Sequence, residues 1–491
     1  MDSSIPVLQG EKLGLLSVPW VNAPLSFWAT WGTLALYLGL FIWLIRSVSG
    51  HRLNNDIEKV HAQYGPVVRI GPNELSFATE DALKTIHNPG PDGGHFTKQG
   101  TIESLLAKLI WAAPNLLTTT DRTAHKRLRT ALQPAFTAKA LMEQEDIVQH
   151  HVNRAVESLG SKLQENKVVS ISDHVGKMIW SIVGDLSFGE PLLHDQMSTY
   201  EKMKYTYGKG APLLELFQFL TETPIFGGLA KLPVMIVPHI FRVPKNFLLM
   251  NQLRGCIERQ GGRKDFLTAI LSAKESAGLT QPEMLSNSAL FAMVGYDTSA
   301  TTLSAVFYHV LRDPDHYKRV QKEVREAYSS VSEITAQSVL RLPYLNPCIQ
   351  ETLRLTPPIN GRGSHRISPG AMIDGLYVPK GVNVSADIWT IHRKPEYWAL
   401  ADKFRPDRWL DNGPGTVFEH DVRTSYRPFL VGPRVCIGRE MALQSIRLTV
   451  AKVAFSFDLE MANKDTFVWE RDAGNDYVWH DYHVLVKRRA H

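Results

Sequence analysis

Cysteine is almost missing from this chain: Cys256, Cys348 and Cys436 are the only three in 491 residues. An odd, scattered count with no C-x-x-C pair excludes a disulfide framework and points to a reducing compartment. It also excludes a cysteine-only zinc site or an iron–sulfur cluster, each of which takes about four thiolates. Internal repeats, low-complexity linkers and a glycine-rich phosphate loop opening a helix are absent as well, so no nicotinamide or flavin domain is visible. Charge is sparse in another sense. A net charge of +5, dispersed along the chain, leaves no nucleic-acid footprint; it suits a solvated surface, or a protein near anionic lipid or an acidic partner. What is present, 44% hydrophobic and 21% charged residues, is the composition of an ordinary globular protein with a large core.

No charged residue occurs from Leu13 to Ile45. Within that stretch "FWATWGTLALYLGLFIWLI" has the length to cross a bilayer core, which takes roughly 20 apolar residues. Trp20, Trp28, Trp31 and Trp43 supply interfacial aromatics, and Arg46, His51 and Arg52 follow on the cytoplasmic side. The expectation is a luminal tip and single transmembrane anchor over 1–50, with a helix at about 26–46, and a catalytic domain over 51–491. The rival reading is a buried core helix. Beyond it, "NNDIEKVHAQYG" reads as a helix ending at Gly65, and "PVVRIGPNELSFA" as two strands about a Gly-Pro turn. Helical periodicity then dominates, with a long run from Pro282 to Leu311; strand patterns return at "AMIDGLYVPKGVNVSAD" and "YHVLVKR". The apolar, Pro- and Gly-broken stretch 211–241 is either internal core or an element dipping into a lipid surface.

Cys348 and Cys256 lie in helical patterns and read as packing residues. Cys436 does not. It sits in "RPFLVGPRVCIGRE", with Phe429, Gly432, Arg434 and Gly438 in the pattern F-x-x-G-x-R-x-C-x-G. The glycines allow tight turns and close approach of a flat partner. Arg434 and the start of a following helix supply the positive potential that a thiolate needs. The residues alone leave Cys436 packed, crosslinked or coordinated.

This stretch resembles the haem-binding loop of the cytochrome P450 family, and further landmarks follow in the family's order. The resemblance implies a mainly α fold with small β-sheets, a haem b cofactor, and Cys436 as axial ligand of the haem iron. "ETLR" places Glu351 and Arg354 on one helical face, and Arg408 in "FRPDRW" matches the third member of the family's structural triad. "HKRLR" puts His125 and Arg129 four apart, where they would hold the haem propionates; a pair at about 4 Å gains roughly 4 kcal/mol at an effective dielectric near 20. Arg366 in "GSHRIS" resembles another propionate ligand, with His365 as its rival. In "FAMVGYDTSATTLS", Gly295, Asp297 and Thr298 match the oxygen-activation motif; glycine would loosen the helix, and the acid and hydroxyl would carry protons. Val294 departs from the small residue usual there. The plainer reading of Asp297 is a side chain bonded to helix backbone.

The style of "YGPVVRIGPNELSF" is similar to fungal members acting in secondary metabolism. The implied function is a monooxygenase that inserts one atom of O2 into a small apolar natural-product intermediate. Electrons would come from NADPH–cytochrome P450 reductase or cytochrome b5, docking at Lys126, Arg127 and Arg439, with the lipid bilayer of the endoplasmic reticulum as location. The alternatives are a haem-thiolate isomerase or dehydratase needing no reductase, and a non-catalytic haem- or lipid-binding protein.

Overall fold

The computed structural model describes residues 39–40, 42–47, 52–88, 90, 95–99, 113–162, 168–189, 264–266, 268–270, 278–359, 365–469 and 482–489. Runs with a helical apolar rhythm become α1 (Leu53–Tyr64), α2 (Glu80–His87), α3 (Arg122–Leu132), α4 (Glu145–Lys162), α5 (Ile171–Phe188), α6 (Gln281–Arg312), α7 (Pro314–Ala327), α8 (Leu345–Leu355), α9 (Ile388–Arg393) and α10 (Arg439–Ser456). Their ends carry ordinary stop and start signals. Thr280 and Glu283 form a reciprocal capping box at the start of α6, with Pro282 in its first turn. The side chains of Asp121 and Thr79 cap α3 and α2, and Gly65, at φ 100°, ends α1.

α6 is buried along nearly its whole length, because apolar and small residues occupy every face. It packs most extensively on α5, and also on α7, α8 and α10. The main core gathers around it: Trp180, Tyr296, Leu303, Phe307 and Leu353 are each almost fully buried.

A five-stranded sheet runs β1–β2–β8–β5–β3, from Val67–Gly71, Glu74–Phe77, Asn383–Ala386, Arg366–Ile367 and Thr97–Lys98. β2 and β8 are parallel, with Leu75 opposite Val384; the other pairs are antiparallel. A three-stranded sheet orders β4 (Val168–Ser170), β10 (His483–Arg488) and β9 (Phe457–Met461), and β6 (Ala371–Ile373) with β7 (Leu376–Val378) makes a hairpin. The paired strands expected at Val67–Phe77, the helix ending at Gly65 and the strand near the C-terminus are all present. The two-residue strands β3 and β5 had no sequence signal of their own, and they matter most for the site.

The expected transmembrane anchor needs correction. Among the described residues no helix is long and apolar enough to cross a membrane, so the single-pass assignment and the endoplasmic reticulum location drawn from it are not supported. Most of the proposed helix at 26–46, and all of residues 1–38, lie outside the described residues. Where its end is described, apolarity has another use. Leu44 is 1% exposed and packs with Leu53, Ile57, Val68 and Ile70, while Trp43 is half-buried against the same cluster. Those side chains bury themselves on α1 and β1. Residues 211–241 and Cys256 also lie outside the described residues.

Candidate functional site

α3, β3, β5, α6, the 427–438 loop and the start of α10 meet at one cavity with about 1640 Å³ of atom-free space, part of it continuous with solvent. Most of its lining is apolar. Chemistry enters along three walls.

The first wall is the cysteine loop. Leu430 and Gly432 both have positive φ, at 66° and 77°, which folds the loop back until the Cys436 N–H donates to the Phe429 carbonyl at 3.0 Å. Only glycine fits at 432: a Cβ there would stand 2.3 Å from the His87 carbonyl at the end of α2. That glycine serves loop docking on the protein itself. At Gly438 a Cβ would meet nothing within 4 Å, so the backbone there faces open space. Cys436 is accessible from the cavity yet closely surrounded by chain. This crowding pushes its thiol pKa up, while the Gly438 N–H, Arg129, Arg439 and the Arg439 N–H pull it down. Burial outweighs them and the thiol pKa lies above its ordinary value, so the thiolate form needs a bound cation.

The second wall is α6. Val294, Gly295, Thr298, Ser299 and Thr302 all line the cavity. The Thr298 hydroxyl donates to the Val294 carbonyl at 2.8 Å, and Thr302 repeats the contact to Thr298 one turn on, also at 2.8 Å. Gly295 does not loosen the helix, which continues unbroken through it. Its missing side chain instead admits Val183 of α5, which a Cβ would meet at 3.3 Å. Asp297 is buried but outside the cavity lining; burial raises its pKa to about 7. It is poised to gain or lose a proton near neutrality.

The third wall is cationic. Arg129 and Arg434 are half-buried, and Arg434 donates to the Thr119 carbonyl at 2.8 Å while Arg129 donates to the Val435 carbonyl. Arg366 on β5 faces the same cavity, and its cross-strand partner on β3 is Lys98. Sequence reasoning passed over Lys98 because β3 is only two residues long. Both are buried, at 5% and 8% exposure. Lys98 Nζ donates to the Leu117 carbonyl, and Arg366 Nη1 donates to the His365 carbonyl at 2.9 Å. Among the described lining residues none is acidic. His125, buried beside these cations, has its pKa lowered to about 4, by burial first and then by Arg434, Arg129, Lys98 and Arg366. His365, the rival to Arg366, instead pairs with the Glu74 carboxylate and does not line the cavity. The donor set therefore suits a large flat apolar group with two carboxylates and a soft-metal centre, and haem b has that chemistry.

Beside the cavity lies a charge cluster with no exposure. Arg354 meets Glu351 through Nε at 3.0 Å and Nη2 at 2.8 Å, and Arg408 Nε meets the same carboxylate at 3.0 Å. Trp409 Nε1 and the Arg405 N–H also donate to it, each at 2.9 Å. Burial alone would raise the Glu351 pKa; the two guanidiniums and these N–H donors hold it below the usual value. The expected trio thus comes together, but with a fourth member. Asp421 accepts from Arg408 Nη1 and from the Ala399 N–H, the latter at 2.7 Å. Two carboxylates now balance two guanidiniums. The proposed docking cations are less uniform: Arg127 is paired with Glu283, Arg439 lies 3.3 Å from Glu440, and Lys126 is exposed.

A protein-family model described as cytochrome P450 matches residues 32–486. Among curated proteins, the cytochrome P450 monooxygenase btcB of Colletotrichum orbiculare is 49% identical over 451 residues, covering 90% of this chain and 84% of that protein. The cytochrome P450 monooxygenase dpfgJ of Gibberella zeae is 51% identical over 409 residues, 82% of this chain and 85% of its own. The sesterfisheric acid synthase of Neosartorya fischeri is 37% identical over 494 residues, covering 91% and 89%.

Proposed function

Given that the chain belongs to the cytochrome P450 family and is a haem-thiolate monooxygenase of fungal secondary metabolism, we propose that Cys436 is the axial ligand of its haem b. The carrying observation is that the Cys436 thiol, the Thr298 hydroxyl and the cationic rim open onto one cavity. Lys98, Arg129, Arg366 and Arg434 would hold the two propionates, with neutral His125 as a hydrogen-bonding partner, and Arg434, Phe429 and Gly438 would border the macrocycle. Bound there, haem supplies the oxygen chemistry: activation of O2 and insertion of one atom into substrate.

The protein's own residues do the rest. The Gly438 and Arg439 N–H groups, with Arg129, oppose the rise that burial imposes on the Cys436 thiol pKa. Asp297, titrating near neutrality, takes protons from solvent, and Thr298 presents a hydroxyl in the cavity to receive them. Glu351, Arg354 and Arg408 hold the loop scaffold and touch no substrate. Val294, bulkier than the family's usual residue, narrows the substrate side of α6. The apolar lining, which includes Phe136, Phe266 and Phe291 with centroids 4.7 to 5.9 Å apart, selects an apolar skeleton.

Family identity brings O2, a small substrate and an electron donor as partners. The donor is NADPH–cytochrome P450 reductase, with cytochrome b5 as an accessory, approaching Lys126 on α3. Residues 51–491 act as one catalytic body. The test is optical. Dithionite-reduced wild type under carbon monoxide shows the red-displaced Soret band of a haem-thiolate, and Cys436→Ser loses it. A serine variant that keeps the band, or a wild type that lacks it, removes the ligand assignment.

A further inference from the structure

His392, the penultimate residue of α9, has no exposed surface, and the cavity does not reach it. Its two polar ends point to different parts of the molecule. Its backbone carbonyl accepts from Arg354 Nη1 at 2.7 Å, which places it in the buried charge cluster. Its ring Nε2 accepts the backbone N–H of Arg427 at 2.9 Å, the first residue of the cysteine loop. Because Nε2 accepts, the ring proton sits on Nδ1, and the ring meets the backbone at Leu353. The ring also stacks on Tyr426 at 5.5 Å and 25°. Tyr426 in turn packs on Trp409 at 4.8 Å, and the indole N–H of Trp409 donates to Glu351. His392 thereby closes a ring of contacts from Glu351 through Arg354, His392, Tyr426 and Trp409 back to Glu351.

We propose that His392 is a positioning residue that fixes the backbone of the cysteine loop, by tying the Arg427 N–H to the buried carboxylate–guanidinium cluster. Two residues beyond Arg427, the Phe429 carbonyl receives the Cys436 N–H at 3.0 Å. Holding the first peptide of the loop therefore holds the acceptor that orients the cysteine. The loop needs such a tie, since Leu430 and Gly432 turn through positive φ and the Arg427 N–H has no neighbouring turn carbonyl in its own segment to satisfy it. The role requires a neutral acceptor. Burial first, and then the Arg354 charge, holds the ring pKa down to about 3, so it stays neutral at any physiological pH.

The proposal rests on Cys436 as the haem ligand, and two readouts separate the premises. His392→Phe keeps an aromatic ring against Tyr426 but deletes the acceptor; His392→Gln restores an acceptor near the Nε2 position. The first readout needs no haem. In haem-free protein, backbone amide exchange over 427–436 rises at least tenfold in His392→Phe, stays within about threefold of wild type in His392→Gln, and does not change in α6. The second is the carbon monoxide spectrum of loaded protein. His392→Phe loses most of the thiolate band with haem still bound, and His392→Gln recovers most of it. A phenylalanine variant too unstable to isolate beside a glutamine variant resembling wild type supports the proposal. Both variants like wild type, or both equally damaged, overturns it. Should the exchange result hold while Cys436→Ser keeps its thiolate band, the ligand assignment has failed and the loop tie has not.

Discussion

Asp421→Asn is the sharpest perturbation of the buried charge cluster, because it changes one charge and almost no volume. In the native protein Asp421 gives one oxygen to Arg408 Nη1 and the other to the Ala399 N–H, and neither Arg408 nor Asp421 exposes its side chain. With Glu351, Arg354 and Arg408 the buried charges sum to zero. The asparagine leaves one net positive charge on side chains with no solvent exposure. It also has a single acceptor for two donors, so one N–H loses its partner. Breaking a buried pair from one side typically costs about 3–5 kcal/mol. A control lies close by in sequence. Asp407 meets Arg319 at 2.7 Å, but those side chains are 45% and 49% exposed, and removing such a pair costs roughly 0.2–1 kcal/mol. Equilibrium urea unfolding followed by circular dichroism would compare Asp421→Asn with Asp407→Asn. The large loss belongs to 421, with the urea slope unchanged. An Asp421→Asn variant within about 1 kcal/mol of wild type, or an Asp407→Asn variant equally damaged, refutes the argument from burial.

Gly432→Ala puts a methyl group into the His87 carbonyl and strains a φ of 77°; purified variant should carry little haem and show a lowered melting temperature. Asp297→Asn tests linkage. Because the folded pKa, about 7, lies above the unfolded value of 3.8, native protein holds the extra proton between them, and wild-type stability is greatest below that window and falls as pH rises through 7. The asparagine variant should lose that slope and exceed wild type in stability at about pH 8, while turnover falls at least tenfold. A parallel slope in both proteins would count against it, once the similarly raised Asp387 is allowed for. Lys98→Met should release haem to an apomyoglobin acceptor about tenfold faster, since one charge-assisted contact of roughly 1.5 kcal/mol is lost; an unchanged rate removes Lys98 from the propionate set.

What the sequence disclosed tracks how the parts reach one another. Glu351 and Arg354 are one helical turn apart, and His125 with Arg129 likewise, so spacing alone puts each pair on one face. The cysteine loop is contiguous, and its glycines stand where the backbone turns. Lys98 is different. It reaches the rim through a two-residue strand whose pairing with β5 leaves no periodic trace, and no window along the chain can display that. The N-terminal stretch misled for a related reason: a hydropathy window counts apolar residues and is blind to where Leu44 goes, which is onto α1 and β1.

Asp421 marks the boundary between what was legible and what was not. A cluster of one carboxylate and two guanidiniums, fully buried, would carry an unpaired positive charge, and the desolvation of an unpaired ion is too costly for a stable core. Charge balance therefore demands a second acid from the triad alone, before any coordinates. It cannot say which one, because the chain offers Asp402, Asp407, Asp411, Glu419 and Asp421 within a short span. Only the fold chooses. The turn at Arg423–Ser425 carries its N-terminal flank inward beneath Arg408, and Asp402, Asp407, Asp411 and Glu419 are left with solvent-facing or local partners. Electrostatics fixes the number of charges, and topology decides which residues bear them.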